Sequence, residues 1–249
     1  KQITLAPPLK YDHKGARNPD GTPVFSHAGT RLLPHVGNLT RNVLIRSENP
    51  AGTRGHTMYT HHATVSIRYA GFYDLGRTTT DVLNSTQLDS SGNGVSIGTN
   101  QIGRYWAHFH RLWGTPRFMP QGMSADQIRA WLNTNGWQCE FVGNAIAATG
   151  AYDHKFKWAI VVHNTHFGKV TDNVMYNVAG SGLQTEENNE SYNLLARNFA
   201  ARIPGTGHNR IDSDTVTPDK RGDIGQDGSG LWFRGPHNWA TRKKTTNTR

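Results

Sequence analysis

The sequence predicts an all-β chain wound as a right-handed, single-stranded parallel β-helix. Three observations point there. Short β-type runs punctuated by Asn and Gly recur along the chain, among them 38-NLTRNVLIRS-47, 63-ATVSIRYAGFYDLG-76, 139-CEFVGNAIAATG-150 and 229-SGLWFRG-235. Asn173 and Asn198, followed at the same interval by Gly180 and Gly205, are separated by the length of one solenoid coil. Sliding the sequence so that Trp158 falls on Ser181 superposes 158-WAIVVH-163 on 181-SGLQTE-186, again close to one coil.

The elements follow in chain order. Residues 1–30, rich in Pro, Gly and Asp, read as a loop-rich N-terminal edge. In 103-GRYWAHFHRL-112, His108 and His110 stand two apart, so an extended backbone puts both imidazoles on one face. At 124–136 the pattern turns helical: Ser124 and Gln127 form a capping box, Ile128, Trp131 and Leu132 an apolar stripe, and Asn135-Gly136 a stop. A short helix in a loop between coils is expected there. Asparagines at repeated bends suit a solenoid because their amides satisfy backbone groups that turn away from the sheets. The template recurs at 229-SGLWFR-234, and its distance beyond 181-SGLQTE-186 reads as two coils. Asp74 and Arg77 read as a structural turn pair, and 240–249 as a basic tail.

At 249 residues the chain reads as a single domain spanning 1–249, and its ends, Lys1 and the basic tail, suggest a piece of something longer. Its longest apolar runs are too short to cross a bilayer, so no membrane insertion is expected. Cys139 is the lone cysteine, which excludes an internal disulfide. The formal charge of +9 favours a polyanionic partner. Nucleic acid and acidic polysaccharide both qualify, though no zinc-finger spacing or ribonucleoprotein motif supports the first. Oligomeric state is not legible.

Several elements together, NLTRNV, RGHTM, GRYWAHFH and HNTHF, carry a resemblance across roughly residues 30–240. The chain resembles the parallel β-helix region of the cell-migration-inducing hyaluronidase family, whose relatives include a transmembrane hyaluronidase and fibrocystin-like proteins; a secreted bacterial member is the expectation. The resemblance implies a right-handed parallel β-helix and, for the animal members, divalent-metal-dependent depolymerisation of hyaluronan. Fold transfers more safely than activity.

Internal alignment leads from fold toward chemistry. Equivalent positions in successive coils stack about 4.8 Å apart. His163, Glu186 and Arg234 then share one column, and matching 106-WAHFH-110 to 159-AIVVH-163 adds His110. His56, with His61 and His62, is expected near the same face on an earlier coil. The expected metal ligands are His56, His108, His110 and His163, imidazole donors suited to zinc or another first-row divalent ion, with calcium also open. Glu186, His163 and His166 are the candidate acid and base groups. Arg234 can fork onto a uronate carboxylate, and Trp232, Tyr105 and Trp106 (with Trp158) can stack on sugars. The set predicts a secreted or cell-surface enzyme cleaving a hyaluronan-like glycosaminoglycan, as glycoside hydrolase or lyase. The alternative is a non-catalytic binding or structural β-helix with a structural metal.

Overall fold

The computed structural model describes residues 14–78, 84–101, 103–112, 119–150, 158–205, 228–241 and 244–246. The chain divides into two compact units, Lys1–Gly37 and Asn38–Arg249. In the first, antiparallel bridges join Arg17 to Pro23 and Phe25 to Arg31.

The second unit is a parallel β-helix. Strand β1 (Val43–Arg46) precedes five coils, each contributing one strand to each of three parallel sheets. The first coil holds β2 (Met58–Thr60), β3 (Val65–Arg68) and β4 (Ala70–Tyr73). A small hairpin follows, β5 (Gln87–Leu88) with β6 (Gly94–Ser96). The second coil holds β7 (Ala107–His110), β8 (Cys139–Val142) and β9 (Ala145–Ala147), and the third β10 (Ile160–His163), β11 (Gly168–Thr171) and β12 (Val174–Tyr176). The fourth holds β13 (Ser181–Thr185), β14 (Leu194–Ala196) and β15 (Phe199–Ala201), and the fifth β16 (Ser229–Trp232), β17 (Trp239–Thr241) and β18 (Lys244–Thr246). The first sheet orders β2-β7-β10-β13-β16, the second β3-β8-β11-β14-β17, and the third β1-β4-β9-β12-β15-β18.

Two details of the expected winding need correction. Leu183 pairs directly with Leu231, so the chain between them makes one coil with an additional stretch after β15, not two coils. The helix α1 (Ala125–Asn135) is where the capping box places it, with Ser124 and Gln127 bonded reciprocally, but it interrupts the second coil between β7 and β8 rather than joining two coils. Its Ile128 and Leu132 bury against Trp137 and Phe167 on the outside of the second sheet.

Inward positions alternate along each strand and fill the bore. Phe72, Phe109, Phe141, Ile146, Ile160, Met175, Leu183, Leu195 and Ala200 form one contiguous core. Phe141 packs against Phe109 and Phe72, with ring centroids 5.5 and 5.2 Å away. At about 25 cal/mol per Å² of apolar surface, this stack is the main force holding successive coils together.

The corner from the second sheet to the third takes only one or two residues in each of the first four coils. The residue that opens it is left-handed every time: Tyr69 (φ 57°), Gly143 (φ 69°), Asp172 (φ 62°) and Arg197 (φ 53°). Such a turn frees backbone groups from the sheets, and a buried asparagine ladder takes them up. The Asn144 amide N–H donates to Asn173 Oδ1 (2.9 Å) and the Asn173 amide to Asn198 Oδ1 (3.1 Å). Their Nδ2 groups donate to carbonyls of earlier strands: Asn173 to Phe141 and Asn198 to Val170, both at 2.9 Å. Asn193 and Asn238 build a shorter ladder at the corner from the first sheet to the second. The other two corners, on either side of the first sheet in chain order, carry the longer connections.

Candidate metal centre

Strand register sets the site on the outward face of the first sheet. His163 lies directly beside His110, and Thr60 beside His110 on the other side. One strand further, Val162 pairs with Thr185 and Gln184 with Trp232, which carries the column on through Glu186 to Arg234. His110, His163, Glu186 and Arg234 therefore follow one another along the sheet, in the order the internal alignment predicts. A second outward column, Met58, His108, Val161, Gln184 and Trp232, runs alongside it.

Because His108 and His110 alternate with the inward Ala107 and Phe109, both rings stand on this face with centroids 4.9 Å apart. His163 completes a triangle, 4.7 Å from the His110 ring and 5.5 Å from the His108 ring. One ligand nitrogen from each of His108, His110 and His163 falls within 4.8 Å of the others.

Hydrogen bonds orient two of these rings. His108 Nδ1 lies 3.0 Å from the Gly103 carbonyl oxygen, which only accepts, so Nδ1 carries the proton and Nε2 a lone pair. His163 Nε2 lies 2.8 Å from Glu187 Oε1, which places a proton on Nε2. The remaining nitrogens, His108 Nε2 and His163 Nδ1, face each other at 3.4 Å. Glu186 Oε2, buried and without a hydrogen-bond partner among the described residues, stands 3.4 Å from the same His163 Nδ1.

Three acceptors face one gap, which a proton carried there, as on a protonated Glu186 carboxyl, or a metal ion would bridge. The donor set fits a metal. Nitrogens bound to a tetrahedral zinc, each about 2.0–2.1 Å from the ion, are roughly 3.3 Å apart, and a third imidazole stands within reach.

Burial tunes the groups. The His108 imidazole is held down to about 3, first by burial and then by the neighbouring His110 and His163, so it is neutral and ready to bind a metal. Burial also lowers His110, with His163 and Arg111 adding to it. Burial raises the Glu186 carboxyl, opposed by His163 and by Tyr105, whose hydroxyl donates to Oε1 at 3.0 Å. A carboxyl raised in this way beside imidazoles is a candidate proton donor.

Some expected residues go elsewhere. His56 stays outside the group of three, whose column has Thr60 before His110, but lies close enough to His108 for its charge to lower that ring; His61 and His62 lie in the turn after β2. His166 sits at the corner between β10 and β11, where its Nδ1 accepts from the Ser191 amide (3.1 Å), so it serves the turn and not the cluster. Trp106 is fully buried within the bore and offers no face to a sugar. Tyr105 is also buried, packed with Trp158 and Val161 over the first sheet, and holds Glu186 instead of stacking on a ligand. Trp232 and Arg234 do reach the surface together, the guanidinium 5.7 Å from the indole centroid and donating to the Glu186 carbonyl at 3.0 Å. Asp74 binds Thr149 and Arg77 binds Asn100, so both are structural.

The residues that position the rings, Gly103 and Glu187, were not singled out for this role by sequence. Glu187 stands one place past the column, where strand alternation would turn it away; β13 ends at Thr185, and the chain beyond brings it back. Gln184, only 1% exposed, was also missed, and its Oε1 lacks a hydrogen-bond partner among the described residues beside the same column.

With fold and site in place, comparison with known proteins adds a likeness. Residues 139–247 match a family model described as the CEMIP beta-helix, so over that stretch the chain is similar to that family's β-helix. Human fibrocystin-L is 26% identical over 252 residues, covering 95% of this chain but 5% of that protein. The chain thus spans a small fraction of the curated relative it matches. No solved structure matches. Among the described residues, no helix is long and apolar enough to cross a membrane.

Proposed function

We propose that the outward face of the first sheet is a metal-dependent acid/base site that cleaves an acidic polysaccharide of the hyaluronan type outside the cell. The observation that carries this reading is the convergence of His108, His110 and His163 on one gap, with the buried Glu186 carboxyl, raised by burial, beside it. Nitrogen donors favour zinc or another first-row ion over calcium, which takes oxygen ligands. Such an ion supplies Lewis-acid polarisation of a substrate oxygen.

The chain's own groups do the rest. Glu186, held through Oε1 by Tyr105, keeps Oε2 facing the cluster, where it can donate a proton to a leaving oxygen. Arg234 stands next in the column, its guanidinium anchored over Trp232, as a fork for a uronate carboxylate. Coils repeat about every 4.8 Å, a spacing comparable with one pyranose unit. A polymer laid across the strands would then meet histidines, carboxylate and arginine in succession.

The test combines metal analysis with turnover of hyaluronan. The wild-type protein is expected to hold one divalent ion and to shorten the polymer, and His110→Ala or His163→Ala to lose both. Absorbance near the ultraviolet edge appears only if cleavage is eliminative. A bound ion with no cleavage of hyaluronan or other uronate polymers would leave the structural-metal role instead.

A further inference from the structure

A metal centre needs more than its ligands, because an unheld imidazole can bind through either nitrogen and rotates freely about its last torsion. Among ligating histidines, the second ring N–H is almost always given to a carboxylate, a backbone carbonyl or water. Both protein solutions occur here. The Gly103 carbonyl takes the proton of His108 Nδ1 at 3.0 Å, and the Glu187 carboxylate takes that of His163 Nε2 at 2.8 Å.

Each arrangement has its own backbone cause. Gly103 adopts φ +82°, and a Cβ there would come within 3.2 Å of His108 Cε1, so the close approach of carbonyl to ring depends on glycine. Glu187 follows the end of β13, and its side chain, about half exposed (51%), sets Oε1 against the His163 ring. Its own amide donates to Glu190 Oε1 at 2.7 Å, and Glu190 also receives the Asn164 amide at 2.9 Å, which ties the backbone of Glu187 to the strand end that carries His163.

We propose that Gly103 and Glu187 form the outer layer of the metal centre, committing His108 to coordinate through Nε2 and His163 through Nδ1. This rests on the metal reading above and assigns positioning roles to two residues that touch no ion. The two rings would then bind through different nitrogens, His108 Nε2 and His163 Nδ1, which stand 3.4 Å apart.

Zinc titration against a chromophoric chelator, with cobalt(II) absorption as a reporter of geometry, tests the assignment on the full chain. Glu187→Ala is expected to weaken zinc binding 10- to 100-fold and to alter the cobalt spectrum, while its metal-free unfolding midpoint stays at the wild-type value. Glu187→Gln, which keeps an acceptor oxygen for His163 Nε2–H, should recover most of the affinity. Gly103→Ala should weaken binding in the same range.

Glu187→Ala binding zinc as tightly as wild type, with the same cobalt spectrum, would overturn the proposal while leaving the metal centre standing. Loss in Glu187→Gln as severe as in Glu187→Ala would make Glu187 a ligand and overturn the positioning role. A wild-type protein that ignores zinc, or binds it equally well in His110→Ala and His163→Ala, would remove the centre itself and this outer layer with it.

Discussion

Two polar columns run along this β-helix, and they are built in opposite ways. At the corner between the second and third sheets, Asn144, Asn173 and Asn198 are fully buried and their amides link one coil to the next. On the outward face of the first sheet, Gln184 Oε1 and Glu186 Oε2 are buried acceptors without donors among the described residues, and two imidazole lone pairs face each other. A buried polar group left unpaired costs roughly 1–3 kcal/mol. A column that meets its own needs holds the fold. One that leaves acceptors unmet is the column on which the proposed metal would sit.

The contrast can be broken at its strong end first. Asn173→Ala removes the acceptor for the Asn144 amide and the donor to the Phe141 carbonyl, and at about 1–3 kcal/mol for each orphaned group should cost roughly 4 kcal/mol. Urea unfolding of the variant would show this as a large fall in midpoint at constant slope.

Next comes the column that waits. Zinc at about 100 times its dissociation constant should stabilise the wild-type fold by about 2.7 kcal/mol, read as a rise in thermal midpoint that a chelator reverses. His163→Ala should show no such rise. A metal-independent midpoint in the wild type would erase the difference between the two columns.

Gln184→Met sharpens the comparison because its sign is opposite to that at Asn173. Deleting an unpaired buried acceptor should leave the protein as stable or more stable by about 1 kcal/mol. A clear loss of stability would mean that Gln184 belongs with the satisfied column. The smallest effect is expected at the surface of the corner itself. There Asp172 and Arg197 form a bidentate pair at 2.6 Å, with side chains 39% and 48% exposed. Solvent screens such a pair, so Asp172→Ala should cost only about 0.2–1 kcal/mol in the same urea assay.

Much of this was legible in the sequence, for a physical reason. Parallel pairing repeats with the coil, so sliding His163 onto Glu186 found their shared register, and Asn173 and Asn198 betrayed the ladder by their spacing. Periodicity failed where the chain departs from it. The additional stretch after β15 made one coil look like two, and the lack of a histidine at Thr60 left His56 outside the cluster. Aromatic residues misled for another reason: Trp106 and Trp232 look alike in sequence, but one faces the bore and the other the surface. Gly103 and Glu187 were hidden because they act through a carbonyl and from beyond a strand end, and neither position announces itself by residue type or period.

The uniform corner between the second and third sheets has a consequence for how such a molecule can diversify. Its one or two residues per coil act as a fixed spine, while the excursions fall on the two corners flanking the first sheet. Chain can be added or deleted beside the histidines without shifting the spacing of the coils, because the asparagine rungs keep count on the far side. A lineage built on this plan can remodel the connections beside the first sheet while the three imidazoles on that sheet keep their places.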